Sequence, residues 1–306
     1  MKQSSTPSKA LLNALLHKYQ DSLSEQQQPQ LQPLLGLIER LQLEPPFCYI
    51  ENQPEALKRL KDVPFWLAYG GVRTGSTFVF LILRALMDSI TDRAIFCWEG
   101  DFSSPIKFFE LVRANTGLES GVLKAHRSSQ EIDEVLKSGQ GKALISIRDY
   151  ASIGKSMWRM IHNQMSPFYH PNASLKTLEG LIRHEIETER SKRGLPGCTI
   201  VRERDVRTEP GQVIKRIAAA LGLSLHSVSV DLLADTYCRE TLRKKTKRLR
   251  MNSTGHDQET FLHVDHIADA GCETDPEMQA IDALIHDRFG SELDTDGYLV
   301  ASYNEV

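Results

Sequence analysis

Apolar positions along the chain fall into two regimes. Near the N-terminus, Leu11, Leu12, Leu15 and Leu16, and later Leu34, Leu35, Ile38 and Leu41, recur at helical spacing, which predicts two amphipathic helices. The segment between them, residues 22–33, is rich in Gln and Ser and reads as a linker, and Pro45-Pro46 ends the second helix. From about Val63 the pattern changes to short apolar runs alternating with helical stretches. Phe65-Trp66-Leu67-Ala68-Tyr69, bounded by Gly70-Gly71, reads as a buried strand, and residues 95–97, 122–124, 143–147 and 199–201 read as further strands. Helices are expected over 77–87 and near 105–115, 130–138, 151–163 and 175–193. Another starts at Pro210, carries Val213, Ile214, Ile217, Ala218 and Leu221 on one face, and stops at Gly222. Short strands alternating with helices imply an α/β single domain: a central, mostly parallel β-sheet flanked by helices, plus an N-terminal helical appendage. The boundaries follow as 1–60 for the extension and 61–306 for the main domain. A helical hairpin packed on that domain is preferred for the extension over a substrate lid or a homodimer contact.

Composition narrows the class only slightly. An apolar fraction of 41% and a charged fraction of 25% are those of an ordinary globular protein, and a net charge of −3 gives no bulk attraction to nucleic acid or anionic membranes. The longest apolar run, 78–87, is broken by Arg84, so no membrane span is expected, and the N-terminal leucines are spaced unlike a signal peptide. The five cysteines are scattered and odd in number, as in reduced thiols of a cytoplasmic protein.

The loop after the first strand carries the first chemistry. Gly70 and Gly75 stand as in G-x-x-x-x-G between a strand and a helix, where a curled backbone and a helix start make an anion cradle. The position where an ATPase needs lysine holds Ser76, and a cation appears earlier, at Arg73. The loop is therefore shaped for an anion without the lysine of an ATPase; a tight turn with no ligand is the plain alternative.

Arg73-Thr74-Gly75-Ser76-Thr77-Phe78 resembles the 5′-phosphosulfate loop of the sulfotransferases, which use 3′-phosphoadenosine 5′-phosphosulfate (PAPS) as donor and release adenosine 3′,5′-bisphosphate (PAP). Three further segments resemble that family in order and spacing. Lys124-Ala125-His126 matches its Lys-x-His, which implies His126 as general base, with Lys124 and Arg73 stabilising the transferring group. Arg148, at a strand end, and Ser156, in the next helix, resemble the pair that holds the 3′-phosphate, although Tyr150 replaces the usual Pro. Residues 201–210 resemble the family's segment preceding a helix that ends in Leu-Gly-Leu. Glu203 stands where the family commonly has Tyr near adenine, and Asp205 reads as structural. The resemblance spans 63–223 and fades over 224–306.

What the resemblance implies is a cytoplasmic, PAPS-dependent sulfotransferase of P-loop-like fold with no metal. Its site residues would be Arg73, Thr74, Gly75, Ser76, Thr77, Phe78, Lys124, His126, Arg148 and Ser156, acting on a small-molecule hydroxyl or amine, with no nucleic-acid or membrane partner. Trp98, Phe102, Phe108 and Phe109 are candidates for acceptor walls or for core, and Glu99 and Asp101 for meeting a cationic acceptor. The basic run 243–250 falls where a phosphate clamp is expected, and His256, His263 and His266 read as solvated rather than metal-binding. A P-loop kinase or NTPase, and a non-catalytic nucleotide-binding protein, remain the rival readings.

Overall fold

The computed structural model describes residues 48–300 apart from 72, 128, 165–168, 239 and 243–274. The two expected N-terminal helices, the basic run and His256, His263 and His266 lie outside the described residues.

Five strands form the sheet: β1 (Phe65–Gly70), β2 (Ala94–Trp98), β3 (Ser120–Ala125), β4 (Gly141–Ile147) and β5 (Cys198–Arg202). Their order is β2-β3-β1-β4-β5, and every pair is parallel. Each expected strand is present, lengthened by one to three residues, and a mostly parallel sheet proves wholly parallel. Among the described residues, ten α-helices surround it: α1 (Gln53–Asp62), α2 (Ser76–Asp88), α3 (Pro105–Ala114), α4 (Gln130–Lys137), α5 (Tyr150–His162), α6 (Leu175–Arg193), α7 (Glu203–Thr208), α8 (Pro210–Leu221), α9 (Ser227–Tyr237) and α10 (Pro276–Phe289). The fold is α/β, with β1 at the centre of the sheet.

The period-2 alternation of side chains divides the strands between two cores. Trp66 and Ala68 of β1, Val122 of β3 and Leu144 of β4 face α1, α2, α8 and α9. Phe65, Leu67 and Tyr69 of β1, Leu123 of β3 and Ala143, Ile145 and Ile147 of β4 face α3 and α4. A third cluster joins α5, α6 and α10 through Ile153, Ile182, Ile281 and Phe289. Helix α2 is buried almost all round, as its continuous apolar run requires. The charged residue that interrupts that run, Arg84, lies over the Phe96 ring and pairs with Asp88. Residues 48–50 are fastened to the domain: the Cys48 amide donates to Ser89 Oγ, the Tyr49 amide to Ser229 Oγ, and Ile50 bridges Leu225. Helix α1 follows, with Ala56 and Leu60 buried in the first core.

Because β3 and β4 flank β1 on opposite sides, the chain reverses its direction of travel across the sheet at β1. Parallel sheets bind ligands outside the carboxyl ends of their strands at such a reversal. Those ends carry Gly70, Trp98, Ala125, Ile147 and Arg202, and the residues after them are the candidates named above.

Candidate functional site

The loop from β1 to α2 is built by backbone geometry that only certain residues allow. Gly75 adopts φ +93°, in the left-handed region, and so does Arg73 at φ +72°, the one described residue other than glycine found there. A Cβ on Gly70 would lie 2.1 Å from Ser146 Oγ and 2.9 Å from the Ser146 carbonyl oxygen, so β4 leaves no room for a side chain. A Cβ on Gly71 would meet the carboxylate of Glu185. Thr74 is turned inward, donating to the Gly71 carbonyl at 2.8 Å and bonding Ser146 Oγ at 2.9 Å, which locks the curl. Helix α2 then starts with no side-chain cap, so its first amides and the positive end of its dipole face the loop. Phe78 packs into the first core, one turn below.

Two groups of side chains converge on this loop. On one side, Arg73 Nε donates to Ser156 Oγ at 2.6 Å, and Arg148 Nη1 donates to the Arg73 carbonyl at 3.4 Å. Ser156 is positioned by α5, whose start is capped by Asp149 accepting from the Ser152 amide. On the other side, Lys124 shares the parity of Val122, so it points beneath α2, where Nζ donates to Thr77 Oγ1 at 2.9 Å. His126 Nδ1 lies 2.8 Å from the Gly70 carbonyl oxygen. All of the sequence-derived candidates other than Phe78 therefore gather around one loop.

Burial tunes the two ionisable groups. Lys124 is 3% exposed, and desolvation brings its ammonium down to about 8, with nearby Glu99 opposing the change. For His126, desolvation first and the Lys124 charge second bring the imidazole down to about 4, so it is neutral at pH 7. A carbonyl can only accept, so Nδ1 carries the proton and Nε2 keeps a lone pair.

The structure separates the alternative roles of several further residues. Phe108 and Phe109 are core: both are fully buried in edge contacts with Phe65, because α3 presses its apolar face on the sheet. Only Trp98, 38% exposed, and half-buried Phe102 stay near the carboxyl edge. Glu99 and Asp101 accept from backbone amides, those of Arg127 and Trp98 respectively. Asp205 pairs with Arg216 at 2.8 Å, the structural role expected of it. Sequence reasoning missed two features. Glu203 lies 3.8 Å from Arg148, and a buried polar network runs beneath the loop, where Lys192 pairs with Asp133 and Tyr150 donates to Glu189. No local pattern announces these, since each pair joins residues far apart in sequence.

No family model matches the sequence, and no curated protein matches it significantly. Solved structures do. The mouse sulfotransferase SULT7A1, crystallised with PAP, superposes with a TM-score of 0.50 at 14% identity, covering 78% of this chain and 89% of that one. The chain has the sulfotransferase fold. Retinol dehydratase, solved with androsterone and the inactive cofactor PAP, aligns at a TM-score of 0.49 and 14% identity over 79% of this chain and 87% of its own. In the sulfotransferase fold seen here, the loop, Lys124, His126, Arg148 and Ser156 share the carboxyl edge of the sheet. No helix among the described residues is long and apolar enough to cross a membrane.

Proposed function

We propose that the protein is a cytoplasmic PAPS-dependent sulfotransferase acting on a hydroxyl or amine of a small-molecule acceptor and releasing PAP. One observation carries this reading: Arg73, Ser156 and Arg148 meet on one side of an uncapped helix start, and Lys124 and His126 meet on the other. The residues present fit such a donor. Gly70 and Gly71 let the loop curl where Ser146 and Glu185 leave no room for a side chain, and an arginine fork and a hydroxyl stand beside it to take a second phosphate.

When bound, PAPS supplies an activated sulfuryl group whose bond to the nucleotide phosphate oxygen breaks during transfer. Arg148 and Ser156 take the 3′-phosphate and so distinguish this donor from ATP. The amides of Ser76 and Thr77, with Arg73, hold the 5′ end. Lys124 meets the charge that develops on the leaving oxygen, and its shared contact with Thr77 sets its position. His126 accepts the acceptor's proton at Nε2, its ring held by the Gly70 carbonyl. Burial keeps this histidine unprotonated at neutral pH, which a base requires, and keeps water from competing around Lys124.

Radiolabelled PAPS, a panel of hydroxyl and amine acceptors and a His126→Ala variant test the reading. Transfer of label by the wild type and its loss in the variant are expected. Equal release of bisphosphate by both proteins with every acceptor would overturn the role of His126. In thermal-shift titrations PAP should stabilise the protein more than ATP does, and the reverse order would sink the assignment of Arg148 and Ser156.

A further inference from the structure

We propose that Glu203 is an internal anion that competes with the donor's 3′-phosphate for Arg148, so that binding and release proceed by exchanging one anion for another. The inference rests on the reading of Arg148 as a 3′-phosphate ligand and adds a residue that sets the strength of that site.

Glu203 is the first residue of α7, directly after β5, and its side chain leans over the anion loop. A Cβ on Gly75 would lie 3.4 Å from Glu203 Cγ. Its Oε2 is 3.8 Å from Arg148 Nε and 3.1 Å from Arg207 Nε. Arg148 Nε and Glu203 Oε2 are both buried, and neither makes a hydrogen bond. The contact between them is thus a charge pair without a directed bond, which leaves the Arg148 fork open to an anion of better geometry. A phosphate oxygen offers that geometry, since arginine binds phosphate through short, charge-assisted bonds.

The carboxylate has a second partner to fall back on. Arg207 is 42% exposed and on the same helix, one turn on, so Glu203 stays paired when a ligand takes Arg148. Exchange therefore strands no buried charge, which would otherwise make ligand entry prohibitive. A carboxylate beside the phosphate site still repels an incoming dianion, so Glu203 lowers affinity for every ligand that carries a 3′-phosphate. In a transferase whose product keeps that phosphate, the same repulsion speeds product release.

The test compares the full-length wild type with Glu203→Gln by calorimetric titration with PAP and with adenosine 5′-phosphate, which lacks the 3′-phosphate. Thermal melts without ligand check that both proteins are folded. Glu203→Gln should bind PAP about three- to tenfold more tightly and adenosine 5′-phosphate nearly unchanged. Arg207→Ala, which leaves the carboxylate to Arg148 alone, should weaken PAP binding, and adding Glu203→Gln should abolish that loss. Weaker PAP binding by Glu203→Gln would overturn the proposal, since Glu203 would then be a ligand contact. An equal gain for both nucleotides would overturn it too, by placing the repulsion at the 5′ end. If neither protein bound PAP, the donor reading itself would fall. Binding by the variant alone would be the strongest support.

Discussion

Replacing Lys124 with Met should make the protein more stable while abolishing transfer, and the gain should depend on pH. Lys124 is 3% exposed, under α2, and its ammonium donates to the neutral hydroxyl of Thr77. Desolvation lowers its pKa from 10.5 to about 8 on folding. Below about pH 8 the group is charged in both the folded and unfolded chain, so folding carries the whole desolvation penalty. Above 10.5 it is neutral in both, and the penalty is gone. Between the two values the unfolded chain binds more protons, so stability rises with pH across that window. The gap between 10.5 and about 8 corresponds to about 3 kcal/mol. Met removes the charge while keeping most of the volume, and it forfeits the bond to Thr77, worth about 1 kcal/mol. A net gain of about 2 kcal/mol at pH 7 is therefore expected. Urea unfolding of both proteins at intervals from pH 7 to pH 10.5 would measure it. The advantage of the variant should shrink by about 3 kcal/mol across the range. A difference that stays constant with pH, or a variant less stable at pH 7, would refute the account of Lys124 as a buried charge held against stability for catalysis.

The neutral state of His126 predicts a flat acid limb: with its pKa brought down to about 4, transfer should hold nearly constant from pH 7 to pH 5, and a fall centred near 6.5 would contradict the burial argument. His126→Ala should lower the transfer rate by about 10²–10⁴-fold at constant PAP affinity, measured by single-turnover assay and titration. Gly70→Ala forces a methyl into Ser146 of the neighbouring strand, and should cost about 1–3 kcal/mol in unfolding experiments and a larger share of PAP binding, because the loop cannot keep its curl. Asp133→Asn leaves Lys192, 1% exposed, without its counter-charge, and should destabilise by about 3 kcal/mol; adding Lys192→Met should recover most of that loss in the same denaturation assay.

Local signals in the sequence determined the elements and the curl of the loop after β1. Every strand and helix expected from Val63 to Gly222 is present because each is written within a few residues. The apolar run before Gly70 makes β1, Pro210 opens α8, and Gly222, at φ +75°, closes it. The missing ATPase lysine at Ser76 and the order of Arg73, Lys124, His126, Arg148 and Ser156 were equally plain, since strand ends are local features and the sheet's parallel order brings all the carboxyl ends to one edge. Only the tertiary structure decided which partners those residues meet. Parity along β3 sends Lys124 under α2 to Thr77, while the packing of α3 makes Phe108 and Phe109 core instead of acceptor wall. The closeness of β5 to β4 sets Glu203 against Arg148, and the burial of α6 places Lys192 beside Asp133. Contacts of this kind span 47 to 83 residues in the cases of Lys124–Thr77 and Arg73–Ser156. At such separations, sequence spacing carries no record of distance, and only the folding of one strand edge over another creates it.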